Sequence, residues 1–106
     1  MQIQISGHQM EVTQALRDHV NSRLIKLDKY FDGGTSLSVV LSVEKFIHKA
    51  DANLTVAGKT LHAEATDSDM YTSVDLLLDK LVAQLRKHKE RLTNHHREQA
   101  REARTG

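Results

Sequence analysis

The chain has 106 residues, 39% of them hydrophobic and 27% charged, which allows one domain around a single modest core and argues against disorder. It has no cysteine, so disulfides, thiol catalysis and thiolate metal sites are excluded, and no apolar run approaches the roughly 20 residues of a bilayer span. The net charge of +1 hides an asymmetry: residues 1–79 hold seven Lys or Arg against eleven Asp or Glu, a net of −4, whereas residues 80–106 hold eight against three, a net of +5.

The opening MQIQISGHQM lacks the basic and apolar blocks of a signal peptide, so the expected location is cytoplasmic. Within it, Gln2 to Ile5 alternate polar and apolar and predict a short strand with Ile3 and Ile5 facing inward. His8 to Val12 then reads as a connection. Thr13 stands where a helix cap belongs, and Leu16, Val20, Leu24, Leu27 and Phe31 recur every three or four residues, predicting helix one. Asp32-Gly33-Gly34 is suited to end it. Arg23, Lys26 and Lys29, three apart, form a basic row on its flank.

Ser36 to Lys45 alternates again, with Leu37, Val39, Leu41 and Val43 on the apolar side, and predicts a half-buried strand. Phe46 to Lys49 reads as a connection. Ala52, Leu54 and Val56, then Leu61, Ala63 and Ala65, alternate on either side of the short turn Ala57-Gly58-Lys59 and predict a hairpin. The polar sides of these strands carry Ser, Thr, Asn, Glu and His, so one sheet face is expected to meet water and the other to carry the helices.

The strongest signal is the last helix, from Asp69 to Arg91. Met70, Val74, Leu77, Leu78, Leu81, Leu85 and Leu92 form a broad apolar face, and Lys80, Gln84, Lys87 and Arg91 line up as a polar stripe beside it. Asp67, Ser68 or Asp69 can cap its start. Beyond Leu92 the apolar pattern stops, so residues 1–92 are expected to form the α+β domain and residues 93–106 a flexible basic tail. The expected architecture is a two-layer β-α-β-β-β-α sandwich with both helices on one face of a four-stranded sheet.

Basic residues at a helix end complement its macrodipole, but that accounts for only a few charges in the last turn. It does not require Lys80, Arg86, Lys87, Lys89 and Arg91 followed by Arg97, Arg101 and Arg104, a density that points to a polyanion. With two Phe, two Tyr and no Trp, the chain has few platforms for stacking on unpaired bases, so recognition of a phosphate backbone is expected instead.

Other chemistries find little support. His95 and His96 are neighbours that point to different sides of a helix, and His88 lies seven residues earlier with no HExxH pattern, so no metal is expected. Asp67 and Asp69 lack the glycine and terminal glutamate of a calcium loop. Gly33-Gly34 is followed by no Lys-Ser/Thr and opens no helix, which excludes a P-loop. Tyr71, on the margin of the apolar face, is expected to pack rather than stack on a base. No nucleophile, base or carboxylate pair is placed for catalysis, so a binding protein without cofactors is the expected class.

The blocks VTQALRDHVNSRLIKLDKYFD at 12–32, the alternation at 50–56 and above all DMYTSVDLLLDKLVAQLRKHK at 69–89 resemble the bacterial hibernation-promoting factors, the ribosome-associated inhibitors of stationary phase. The resemblance covers residues 1–92, and the short basic tail is similar to that of the short members rather than to the longer acidic tail of the ribosome-associated inhibitor. It implies a fold similar to a double-stranded-RNA-binding domain with an extra first strand. It also implies a protein, monomeric off the ribosome, that occupies the mRNA and tRNA channel of the 30S subunit, alone or in the 70S ribosome, and so blocks translation. Together with ribosome modulation factor, such a protein favours paired, inactive 100S ribosomes.

Carried onto this sequence, the resemblance implies that Lys80, Arg86, Lys87, Lys89 and Arg91 face 16S rRNA, with His88 as a further donor and Arg23, Lys26 and Lys29 extending the surface. An alternative class remains open: a protein-interaction module that docks its basic last helix on an acidic partner or self-associates through the open sheet face.

Overall fold

In the computed structural model, which describes residues 1–30, 35–56 and 58–105 and from residue 88 onward only the course of the backbone, four strands form one sheet. They are β1 (Gln2–His8), β2 (Ser36–Glu44), β3 (Ile47–Val56) and β4 (Lys59–Asp67), side by side in that order. β1 runs parallel to β2, and β2, β3 and β4 pair antiparallel. A parallel neighbour cannot be reached by a tight turn, and the crossover from β1 to β2 is made by helix α1 (Gln14–Leu24) and the 3-10 helix Ile25–Tyr30. β4 is followed by α2 (Met70–Thr105).

The expected α+β order is therefore present, with differences at the element ends. β1 continues beyond Ile5 through Ser6 and Gly7 to His8, the residue at which the sequence placed the start of a connection, because each residue keeps its parallel partner, out to His8 opposite Ser42. Gly7 is needed there: a Cβ on it would lie 2.3 Å from the Met10 carbonyl oxygen. Thr13 caps α1 as expected, its Oγ1 accepting from Leu16 N at 3.2 Å. Helix one loses α-helical geometry after Leu24 and tightens into the 3-10 helix, which still buries Leu27. Phe31 and Asp32-Gly33-Gly34 lie outside the described residues, as does Ala57.

The segment from Phe46 to Lys49 is not a connection. β2 and β3 form a hairpin closed by Lys45 and Phe46 alone, with Glu44 opposite Ile47, and Lys45 takes a positive φ of 56° to make the turn. The absence of an Asn-Gly or Asp-Gly pair concealed it. At the second hairpin, Gly58 has φ 79°, a conformation natural to glycine.

Both helices lie on one face of the sheet, where a single core unites Leu16, Val20, Leu24 and Leu27 with Met70, Val74, Leu77, Leu81 and Leu85 of α2. The inward residues of β3 and β4 are small under α2: Ala50, Ala52, Ala63 and Ala65 form its floor, whereas β2 supplies Leu37, Val39 and Leu41. Short side chains let the helix come close to the strands, and the leucines of α2 fill the space left. α2 begins at a cap made by Asp69, whose Oδ2 accepts from Thr72 N at 3.3 Å and from Thr72 Oγ1 at 3.0 Å. Leu77 and Leu81 are fully buried between the helix and its floor.

Truncating either creates a cavity that the alanine floor cannot fill. Leu77→Ala is expected to lower unfolding free energy by about 2–5 kcal/mol, read as a lower urea midpoint with an unchanged slope.

Candidate nucleic-acid interface

β1 and β4 run in the same sense, so the helices that follow them return side by side in the same direction. The contacts between them follow from that. His19 Nε2 lies 3.0 Å from Asp75 Oδ1, Arg23 Nε donates to the same oxygen at 3.1 Å, and His19 meets the Tyr71 ring edge to face with centroids 4.9 Å apart. Tyr71 thus packs between the helices.

This arrangement sorts the basic residues. Arg23 is half-buried and shares its charge with Asp75, so it is a helix-to-helix tie before it is a surface cation. Lys26 and Lys29 are exposed on the 3-10 helix, with Lys29 Nζ 5.3 Å from the Tyr30 ring centroid. Arg86 and Lys87 are exposed on α2, further along in the same direction, so both helices carry free cations toward one end of the molecule. Asp67 at the end of β4 and Asp69 at the cap of α2 lie toward the other end, with Asp75 between the two ends against Arg23. His88, Lys89 and Arg91 lie on the backbone path of α2, but their side chains are outside the described residues.

Lys80 has a task that its place in the polar stripe did not reveal. β4 is an edge strand, and edge carbonyls invite pairing with other chains. Lys80 Nζ donates to the Glu64 carbonyl at 2.6 Å, and Gln84 Nε2 donates to the His62 carbonyl at 2.8 Å. The stripe ties α2 to β4 and covers that edge, while leaving Lys80 two further N–H donors.

The open face holds a second cluster that the sequence did not show, because it depends on strand register. Asp51 stands opposite Glu64, and Asn53 opposite His62. Facing carboxylates repel, and Lys49 relieves the repulsion, its Nζ 3.0 Å from Glu64 Oε2 and 3.9 Å from Asp51 Oδ2. The hydrogen bond from Lys49 and its charge hold the Glu64 carboxyl below its ordinary 4.5, and the same pair raises Lys49 above its ordinary 10.5. Asp51, His62 and Glu64 bring ligand atoms within 4.8 Å of one another, a spacing compatible with a metal ion. Lys49 already supplies the cation there, so the group is an ion-pair network, and its carboxylates make this half of the open face unfavourable to phosphates.

Residues 3–93 match the family described as Sigma 54 modulation protein / S30EA ribosomal protein. The chain belongs to that family. It is a family of ribosome-associated proteins that are not enzymes, and ribosome hibernation is the function that membership supports. The chain is 47% identical over 95 residues to the ribosome hibernation promoting factor of Escherichia coli K12, covering 90% of this chain and all of that protein. To the factor of the same name from Azotobacter vinelandii it is 50% identical over 91 residues, covering 86% of this chain and 85% of that one. Its structure is similar to the Thermus thermophilus Protein Y N-terminal domain, with TM-score 0.78, 32% identity and coverage of 83% and 99%. It is also similar to a ribosomal subunit interface protein from Coxiella burnetii, with TM-score 0.77, 31% identity and coverage of 85% and 99%. Among the described residues no helix is long and apolar enough to cross a membrane.

The Lys49–Glu64 pair gives a direct test of the local electrostatics. A carboxyl whose folded value is depressed contributes stability above its unfolded value and loses it as pH falls through the folded one, so the pair persists below pH 4.5. The raised Lys49 correspondingly loses its share only as pH climbs past 10.5. Carbon-detected NMR titration is expected to place the Glu64 midpoint below 4.5, and Lys49→Met to move it upward.

Proposed function

We propose that this chain is a ribosome hibernation factor that binds the small subunit in the channel used by mRNA and tRNA, and that the basic ends of its two helices supply the contact to 16S rRNA. What supports the reading is the convergence of exposed Lys26, Lys29, Arg86 and Lys87 toward one end of parallel helices, in a chain 47% identical to a ribosome hibernation promoting factor. Folded rRNA presents closely spaced phosphates, and a rigid array of cations meets several at once while releasing condensed counterions. Contacts of this kind position the protein on backbone and shape rather than on base identity.

His88, Lys89 and Arg91 continue the surface in this reading, and the basic tail beyond residue 92, whose backbone carries α2 on to Thr105 rather than fraying as the sequence suggests, extends it. Lys80 joins with the donors that remain after its bond to β4, and Arg23 contributes chiefly by holding the helices together. Inhibition is by occupancy: the domain fills space that mRNA and tRNA need, and no bond is made or broken. The protein acts in the cytoplasm as a monomer off the ribosome, and with ribosome modulation factor it favours paired 70S particles, the 100S form.

The test follows from the sorting of the cations. Reversing Lys80 disturbs the β4 edge as well as the charge, so Arg86→Glu with Lys87→Glu is the cleaner pair. Co-sedimentation with purified 30S and 70S particles is expected to weaken at least about tenfold, and the slope of log affinity against log salt to fall by about 2, one for each phosphate left unneutralised. Wild-type binding and slope in the double variant, with an unchanged urea midpoint, would show that the rRNA contact lies elsewhere.

A further inference from the structure

The tip of the β2–β3 hairpin exposes three apolar residues: Phe46 in the turn is 88% exposed, Ile47 on the open side of the sheet 56% and Val43 on the helix side 37%. Nothing in the fold is gained by this. The chain has only two phenylalanines, and this one meets water on a turn that also holds Lys45 at φ 56°, a conformation L-residues adopt at a cost. The tip is rigid, because the hairpin is fully paired up to Glu44 opposite Ile47, and the Ser73 hydroxyl of α2 donates to the His48 carbonyl at 2.6 Å just behind it. It therefore presents a preformed wedge.

The surroundings of the wedge decide what it fits. Asp67 is the register partner of His48, Asp69 opens α2 beside it, and Glu44 ends β2 just before the turn. Against these three acids the tip has Lys45, while Lys49 is engaged by Glu64. The rim is net acidic and lies at the end of the molecule away from Lys26, Lys29, Arg86 and Lys87, so it repels a phosphate backbone. Apolar residues with an acidic border are complementary to an apolar pocket with a basic border, which is a protein surface.

We propose that the hairpin tip, anchored by Phe46, docks into an apolar pocket with a basic rim on a ribosomal protein, while the helix ends hold rRNA. The proposal rests on the ribosome-binding reading above and deepens it: two anchors of different chemistry at opposite ends of the sheet fix the orientation of the domain. An aromatic side chain seated in a desolvated pocket is the usual form of such an anchor. Its contribution is insensitive to salt, unlike that of the cations.

The test uses the full chain and purified 70S ribosomes. Phe46→Ala is expected to weaken co-sedimentation about 10- to 30-fold with the salt slope unchanged, and Phe46→Leu to stay within about threefold of wild type. Unchanged urea midpoints establish that both variants are folded. In parallel, benzoylphenylalanine placed at position 46 is irradiated in the complex; the expected adduct is destroyed by protease and resists ribonuclease. An adduct on rRNA, an adduct between two copies of this chain, or wild-type binding by Phe46→Ala would each overturn the proposal. Failure of the unmodified protein to pellet with ribosomes would overturn the ribosome-binding reading and this proposal with it, and is told apart because it precedes any substitution at the tip.

Discussion

The packing of α2 on the alanine floor of β3 and β4 is the contact on which the other features depend. Leu77, Leu81 and Leu85 can come close only because Ala50, Ala52, Ala63 and Ala65 leave room, and that close approach brings Lys80 and Gln84 within reach of the β4 carbonyls. The same approach sets the azimuth of the helix. Once Lys80 and Gln84 point at the strand edge, Arg86 and Lys87, a turn and a half or more beyond Lys80, are left exposed.

The charge separation follows from topology as much as from sequence. Because β1 and β4 run in the same sense, the two helices run parallel and add their basic C-terminal residues at one end. Asp75 takes up Arg23 and His19 midway, which registers one helix against the other. A chain of nearly neutral overall charge thereby becomes a body with one basic end, one acidic end, and an open sheet face half occupied by its own ion pairs. Such a body can be oriented by a polyanion, since only one end is attracted.

Much of this was legible in the sequence. Alternation from Ser36 onward fixed which residues of β2 face inward, and the spacing of Met70, Val74, Leu77, Leu81 and Leu85 identified the buried side of α2. Features that rest on a relation between distant segments were not legible. Lys80 reads as a surface cation until β4 is seen beside it, and Arg23 as part of a basic row until Asp75, 52 residues away, is paired with it. Lys45 concealed a two-residue turn because a residue without turn preference took the positive φ, and Phe46 was hidden in what read as a connection. The Asp51, His62 and Glu64 trio exists only through cross-strand register.

Whether the basic end of this domain occupies the decoding channel is decided by competition: the purified protein, bound to 30S subunits at low salt, is challenged with mRNA and initiator tRNA and the pelleted fraction measured. Mutual exclusion is the predicted result, with the protein displaced as the ligands bind and the ligands excluded when the protein is in excess. Simultaneous stoichiometric binding of protein, mRNA and tRNA to one subunit would contradict it.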